Sequence, residues 1–284
     1  MLERLRAARR RRALGRELAA RHPPPSRAWQ GDYGERHGKL LSWALDDGEL
    51  GDLLRSGQPL PQRYGVGLDE RVIEYPWLYA QRPFGRLLDA GSTLNHEHIL
   101  DRFQPAASSL CIATLHPEQA AYTERNISYL YADLRELPLR DGFFDTVICA
   151  STLEHVGMDN TVYGDDAPTA RDPAAEQATA LSELLRMTAA GGRILLTVPY
   201  GRAEDHGWFR QYDEAALREL LGSLEGVESA ITVYAYGPNG WRLDSLAGAR
   251  GARFKDYHSD QAPAPDLAAA ARAVACVRLA RSAR

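Results

Sequence analysis

Gly85-Arg86-Leu87-Leu88-Asp89-Ala90-Gly91-Ser92 is a short apolar run that ends in an acid and breaks on glycine. A run of this kind predicts a buried strand, and the glycine after it predicts a loop whose backbone can come close to a ligand. From Gly85 onward the pattern is regular. Further strands are expected at Leu110–Thr114, Ile127–Ala132, Asp145–Ala150, Arg193–Val198, Val227–Ala235 and Ala273–Leu279. Helices are expected at Asn95–Phe103, Pro117–Arg125, Asp172–Ala190 and Tyr212–Leu221, with Gly191-Gly192 closing the third as a C-terminal cap and Asp213 opening the fourth. Alternating apolar strands and helices predict an α/β fold with a mostly parallel sheet. In such sheets ligands bind beyond the carboxyl ends of the strands, so chemistry is sought in the loops after them.

Upstream the character differs. Residues 1–30 hold nine arginines against Glu3 and Glu17, while the whole chain carries a net charge of −4. A basic helical arm (1–30) is expected on an acidic body, stopped by Pro23-Pro24-Pro25. Residues 31–83 read as a helical cap, in which the aromatic stretch Arg71-Val72-Ile73-Glu74-Tyr75-Pro76-Trp77-Leu78 packs over a core or walls a pocket. The domain proper is expected at 84–284, with Ala262-Pro263-Ala264-Pro265 as a linker before the last strand. At 284 residues and 44% hydrophobic content the chain can bury a full core. Cys111, Cys149 and Cys276 lie far apart in predicted strands, which suggests buried thiols in a reducing compartment. No secretory h-region and no long apolar run is present, so a cytoplasmic protein without integral membrane contact is expected, its basic arm either solvated or set against an anionic surface or partner. The acidic balance argues against nucleic acid as a partner.

The motifs follow the strands in order. Asp89-Ala90-Gly91-Ser92 comes after the first and Asp133-Leu134 with Leu137-Pro138 after the third. Phe144-Asp145-Thr146-Val147 runs into the fourth, and Leu153-Glu154-His155-Val156 follows it. Together these resemble the class I S-adenosylmethionine-dependent methyltransferases, in particular the small-molecule branch. The resemblance implies a Rossmann-like sheet of seven strands, the last antiparallel, with helices on both faces and here an N-terminal helical extension. It implies S-adenosylmethionine as cofactor, held by Asp89, Gly91, Ser92, Asn95, Thr114, Leu115, Asp133, Leu134 and Glu154. By that likeness Asp89 holds the methionine end, Asp133 accepts from the adenine amino group, and the Leu134 amide faces a ring nitrogen. Two departures stand out. The first loop, Asp89 to Asn95, keeps only the first of the family's three glycines. Thr114 also stands where an acid grips the ribose, so that either His116 or Glu118 substitutes, or the cofactor is held more weakly, or the site has drifted.

His155 and His206 are the candidate general bases, since imidazole titrates near neutrality. The alternative for His155 is packing at the cofactor's edge. His206 lies in Asp205-His206-Gly207-Trp208-Phe209-Arg210-Gln211-Tyr212, where Trp208 and Tyr212 can stack on an acceptor ring and Arg210 can hold an anion. His96 and His98, two apart, cannot share a helix face, so no metal site is expected there; Asn95 is read as the helix N-cap. Asp159–Asp172 is long for a connection and reads as a lid. Its Tyr163-Gly164-Asp165-Asp166 is either a magnesium-holding or a solvated acidic stretch. The activity this implies is methyl transfer to a small molecule, with a hydroxyl of a sugar or natural-product intermediate as acceptor. The rival readings are a methyltransferase-like protein that binds a partner without catalysis, and a nicotinamide-dependent enzyme on a similar sheet.

Overall fold

The computed structural model describes residues 2–83, 85–161, 169–255, 264–268 and 270–283. The Tyr163–Asp166 stretch and the Ala262-Pro263 half of the predicted linker lie outside the described residues. In chain order the elements are α1 (Leu2–Arg21), α2 (Tyr33–Asp46), α3 (Gly48–Arg55), α4 (Arg71–Ala80), β1 (Gly85–Ala90), α5 (Glu97–Phe103), β2 (Ala107–Thr114), β3 (Ile127–Tyr131), β4 (Phe144–Ala150), α6 (Pro173–Met187), β5 (Thr188–Pro199), β6 (Glu204–Asp205), β7 (Arg210–Gln211), α7 (Glu214–Gly222), β8 (Val227–Gly237), β9 (Gly240–Asp244), α8 (Leu246–Ala249) and β10 (Ala273–Arg281). The main sheet runs β3-β2-β1-β4-β5-β10-β8-β9. It is Rossmann-like, and it has eight strands where seven are expected from the sequence. The chain divides into two compact units, residues 1–81 with 232–274 and residues 82–231 with 275–284.

In the second unit β3, β2, β1, β4 and β5 are parallel neighbours. The core strands are apolar throughout, as a sheet covered on both faces requires: Leu87, Leu88, Val147, Ile148, Ile194 and Leu195 are fully buried. β10 reverses direction. Ser282 N, at its far end, donates to Gly226 O at the start of β8, and Tyr236 N, at the end of β8, donates to Arg272 O just before β10. At the strands' amino ends Asp145 accepts from Arg86 Nε at 3.0 Å, Nη2 at 2.8 Å and backbone N at 2.8 Å. The motif acid Asp145 is therefore a brace between β1 and β4, remote from the loops that follow the strands.

Three helical expectations change. α6 stops at Met187, where the Thr188 hydroxyl donates to Leu184 O at 2.8 Å. Gly191-Gly192 is not a cap but part of a bulge in β5, opposite the register break between Phe144 and Thr146. A Cβ on Gly192 would lie 2.9 Å from Ala189 O and 3.0 Å from Asp145 O. The helix expected at Pro117–Arg125 shrinks to a single 3-10 turn, Thr123–Arg125. Side chains from elsewhere take its backbone groups: Asn95 Nδ2 donates to Ala120 O, and Tyr122 N donates to the Tyr129 hydroxyl. Finally, α5 starts at Glu97 with His96 at the cap position, so Asn95 does not cap it.

In the first unit α4 contains Pro76, which cannot donate to the carbonyl one turn back. That carbonyl, Val72 O, instead accepts the hydroxyl of fully buried Tyr64 at 2.5 Å. β9 is the added strand. It pairs antiparallel with β8, and Trp241 N and Nε1 donate to Tyr64 O and Leu68 O. A second buried group joins Tyr33, whose hydroxyl donates to Asp69 Oδ2 at 2.9 Å, to His37 Nε2, 3.1 Å from Asp69 Oδ1.

Candidate active site

The strand order reverses between β1 and β4, and the loops leaving these two strands meet. Gly91 has φ +116, and a Cβ there would lie 2.0 Å from Thr152 Oγ1. Only glycine can occupy that cradle. Thr93 Oγ1 donates to Ala150 O at 2.7 Å and Thr152 Oγ1 to the same carbonyl at 3.0 Å, so both loops are stitched to the end of β4.

Two carboxylates are buried at these strand ends. Asp89 is fully buried and accepts Leu94 N at 2.8 Å; Glu154 sits in the 3-10 turn Leu153–His155 that follows β4. Their field is felt by the nearby thiols. Burial first, then Asp89, pushes Cys111 up to about 11. Burial, then Glu154 and Asp89, raises Cys149 further. In the loops after β1 and β2, Ser92 Oγ, beside Gly91 at φ +61, and His116 Nε2 are buried without a hydrogen-bond partner among the described residues. Buried polar atoms are normally satisfied, so orphans at a strand end point to a ligand or water.

Beyond β2 and β3 the predicted residues divide. Thr114 and Leu115 are half-buried at the end of β2, and Thr114 O accepts Ala132 N at 3.0 Å. Asn95 is engaged by protein, its amide donating to Glu118 Oε2 at 2.8 Å and its oxygen accepting the Tyr129 hydroxyl at 2.9 Å. Of the two proposed substitutes for a ribose acid, Glu118 is thus held by Asn95, and His116 carries the orphan nitrogen. Leu134 is buried. Asp133 is gripped by Arg135, which donates Nε to both carboxylate oxygens at 3.0 Å, Nη2 to Oδ2 at 2.5 Å and its backbone N to Oδ1 at 2.8 Å. Burial raises the Asp133 carboxyl, and these bonds outweigh it, leaving it below its ordinary value. Arg135 also reaches Glu176 on α6 at 2.7 Å. Asp133 is legible in the sequence from its place after β3; this partner, two residues on, is not.

His155 and His206, 51 positions apart, come into one aromatic cluster. The short hairpin β6–β7 carries Trp208 and Phe209 at its tip. The His155 ring lies 5.1 Å from Trp208 and 5.9 Å from Phe209, and His206 stacks on Phe209 at 4.5 Å. His155 Nδ1 is 2.9 Å from Trp208 O. A carbonyl only accepts, so Nδ1 carries the proton and the neutral ring has its lone pair on Nε2. His206 Nε2 is 3.5 Å from Glu204 Oε2. Tyr212 does not offer its ring to an acceptor: it is buried, and its hydroxyl donates to Gln177 Oε1 at 2.7 Å. Arg210 lies over the Tyr212 ring at 5.8 Å.

The donor set suits a group that is cationic at one end and polar along its length: two buried carboxylates, a glycine cradle, and the orphan atoms of Ser92 and His116. Asp133 fits only if it shares its oxygens with Arg135. Among the described residues no group of three His, Cys, Asp or Glu side chains is arranged to hold a metal ion, and no helix is long and apolar enough to cross a membrane.

Residues 91–196 match the family model of a methyltransferase domain. No curated protein matches the chain in sequence. Among solved structures, the chain is similar to the N-methyltransferase NodS of Bradyrhizobium japonicum WM9 in complex with S-adenosyl-L-homocysteine. That likeness has 13% identity and a TM-score of 0.45, over 86% of this chain and 97% of that one. It is also similar to the 1,6-didemethyltoxoflavin-N1-methyltransferase of Burkholderia thailandensis, with 15% identity and a TM-score of 0.45 over 91% and 94%. A third is the YcgJ protein of Bacillus subtilis, with 12% identity and a TM-score of 0.44 over 71% and 93%. At TM-scores this low these likenesses assign nothing further to this chain.

Proposed function

We propose that the chain, built around the methyltransferase domain at residues 91–196, is an S-adenosylmethionine-dependent methyltransferase acting on a small molecule, with a hydroxyl of a sugar or natural-product intermediate as acceptor. When bound, S-adenosylmethionine supplies an electrophilic methyl group on a sulfonium. Asp89 and Glu154 give that cation a negative, water-poor surrounding. Gly91 lets the backbone approach, and Ser92, Thr114, Leu115, His116, Asp133 and Leu134 line the remainder.

The observation that carries the reading is the tautomer of His155. The bond from Nδ1 to Trp208 O leaves Nε2 as the basic atom, one residue after buried Glu154. A hydroxyl acceptor must lose its proton as the methyl arrives, and Nε2 can take it. Trp208 and Phe209 form an apolar wall beside it on which a ring can rest. His206, stacked on Phe209 and facing Glu204, is the second base candidate.

The test is calorimetric titration with S-adenosylhomocysteine, with Asp133→Ala as control. Micromolar binding that weakens at least tenfold in the variant supports the reading. Absence of binding at millimolar ligand overturns it and favours a non-catalytic binding protein on the same fold. That second reading draws on Arg135's hold on Asp133 and on the Asn95–Glu118 pair. With an acceptor in hand, His155→Ala should cut turnover about 10²-fold or more while leaving cofactor affinity nearly unchanged.

A further inference from the structure

Gln177 belongs to none of the motifs, yet it is 1% exposed at the centre of the site's supporting shell. It lies on α6, one residue from Glu176, in the helix that packs behind the turn bearing His155. Its Nε2 donates to Glu154 O and Val156 O, both at 3.3 Å, and its Oε1 accepts the Tyr212 hydroxyl at 2.7 Å. The partners fix which end of the amide is which, since two carbonyls can only accept and so face the amide nitrogen. Tyr212 in turn is moored to β5, its N donating to Pro199 O at 3.0 Å and its O accepting Gly201 N at 2.9 Å. It is the residue directly after β7, at the root of the hairpin that presents Trp208.

Two segments distant in sequence, 153–159 and 204–212, are therefore joined at their base by one buried amide. At their tips they are joined by His155 Nδ1 to Trp208 O, and by Asp159 N to Gly207 O at 3.1 Å. The tip bond between His155 and Trp208 is what sets the histidine's tautomer. It survives only if the turn and the hairpin keep their spacing.

We propose that Gln177 is a positioning residue: it holds the His155 turn and the Trp208 hairpin in register and so keeps the His155 lone pair on Nε2. This rests on the reading of His155 as the base, and the amide achieves it without touching any reactant. Gln177→Leu removes the donor to the Glu154 and Val156 carbonyls and the acceptor of the Tyr212 hydroxyl. Tyr212→Phe removes only the hydroxyl and leaves the amide in place. Gln177→Glu keeps the shape but, when ionised, turns the two donors into an acceptor facing two carbonyls.

The test is nitrogen-15 spectroscopy of histidine-labelled protein, with the His155 signals assigned by His155→Gln. The wild type should show protonation at Nδ1. Gln177→Leu and Gln177→Glu should each lose that preference and show a tautomer mixture, with Tyr212→Phe intermediate. S-adenosylhomocysteine affinity should stay within about twofold, because none of the side chains placed around the cofactor is replaced. Retention of the Nδ1–H signature in the Gln177 variants and Tyr212→Phe overturns the proposal. If the Gln177 variants fail to fold, Tyr212→Phe alone decides. Failure of the wild type to bind S-adenosylhomocysteine would strike at the enzymatic reading and leave the tautomer result standing on its own.

Discussion

Gly91→Ala probes how the two loops at the strand-order reversal fit together. A Cβ on residue 91 would lie 2.0 Å from Thr152 Oγ1, 2.3 Å from its Cγ2 and 2.6 Å from its Cβ. Favourable carbon contacts sit near about 3.5–4.0 Å. Rotating Thr152 about χ1 exchanges one offending atom for another and leaves its Cβ in place, so the backbone of one loop must move. That component is overpacking, about 1–3 kcal/mol. A second component is conformational: φ is +116, outside the region open to residues with a side chain, and holding alanine there costs about 1–3 kcal/mol. Together they amount to about 4 kcal/mol, a large part of the stability of a domain. Thr152→Gly separates the two, because it removes all three atoms in the way. In that background Gly91→Ala should cost only the conformational part, about 2 kcal/mol, whereas in Thr152→Ala, which keeps the Cβ, most of the full penalty should remain. The assay is urea unfolding, read as a shift in midpoint at constant m-value, with S-adenosylhomocysteine titration alongside. Equal penalties in the wild type and Thr152→Gly backgrounds, or a wild-type penalty under about 1 kcal/mol, would refute the steric account.

Three further outcomes are expected. Tyr64→Phe orphans the Val72 carbonyl and should cost about 1–3 kcal/mol; in Pro76→Ala, where an amide N–H again faces that carbonyl, the cost should shrink by about 1 kcal/mol or more in a double-mutant cycle. Burial raises the Asp69 carboxyl, but the bonds from His37 and Tyr33 prevail and hold it below its ordinary value. Its contribution to stability is thus present above the unfolded carboxylate pKa near about 3.9 and lost as pH falls through the folded value. Asp69→Asn should accordingly flatten the fall in stability over that acid window, as followed by urea midpoints between about pH 5 and 2. Asp213 caps α7 through Ala216 N at 2.8 Å, so Asp213→Ala should lower stability by about 1 kcal/mol, seen as a smaller urea midpoint.

The parallel strands were readable because burial on both faces leaves near-continuous apolar runs, as in Leu87–Leu88 and Val147–Ala150. β9 was not. Gly240-Trp241-Arg242-Leu243-Asp244 mixes charge with apolar residues, as the outermost strand of a sheet does, and only the Pro238-Asn239-Gly240 turn before it hints at a hairpin. In place of the helix expected over 117–125, Asn95 and Tyr129, side chains from outside the segment, bond Ala120 O and Tyr122 N, contacts that the segment's own sequence does not carry. Gly191-Gly192 misled for a different reason: Gly191 at φ +73 has the backbone a cap needs, in a strand bulge. At the site, single residues at strand ends were legible from loop position. Their partners were not: Arg135 on Asp133, Trp208 on His155 and Gln177 under Glu154 follow from how loops fold back, which spacing does not encode.

The position of β10 bears on how the protein is made. On the ribosome β1 to β5 emerge in sequence and can pair as they appear. The flank of β5, however, waits for a partner that begins at Ala273, 74 residues after Pro199, and β8 and β9 are translated first. At about 5–20 residues per second, that is roughly 4–15 s during which a buried-type apolar strand has a bare hydrogen-bonding edge. Premature pairing of β8 against β5 would also have to be undone before β10 could enter between them. Synthesis in the cell should therefore be sensitive to translation pauses between Pro199 and Ala273, and to chaperones that shield nascent edges.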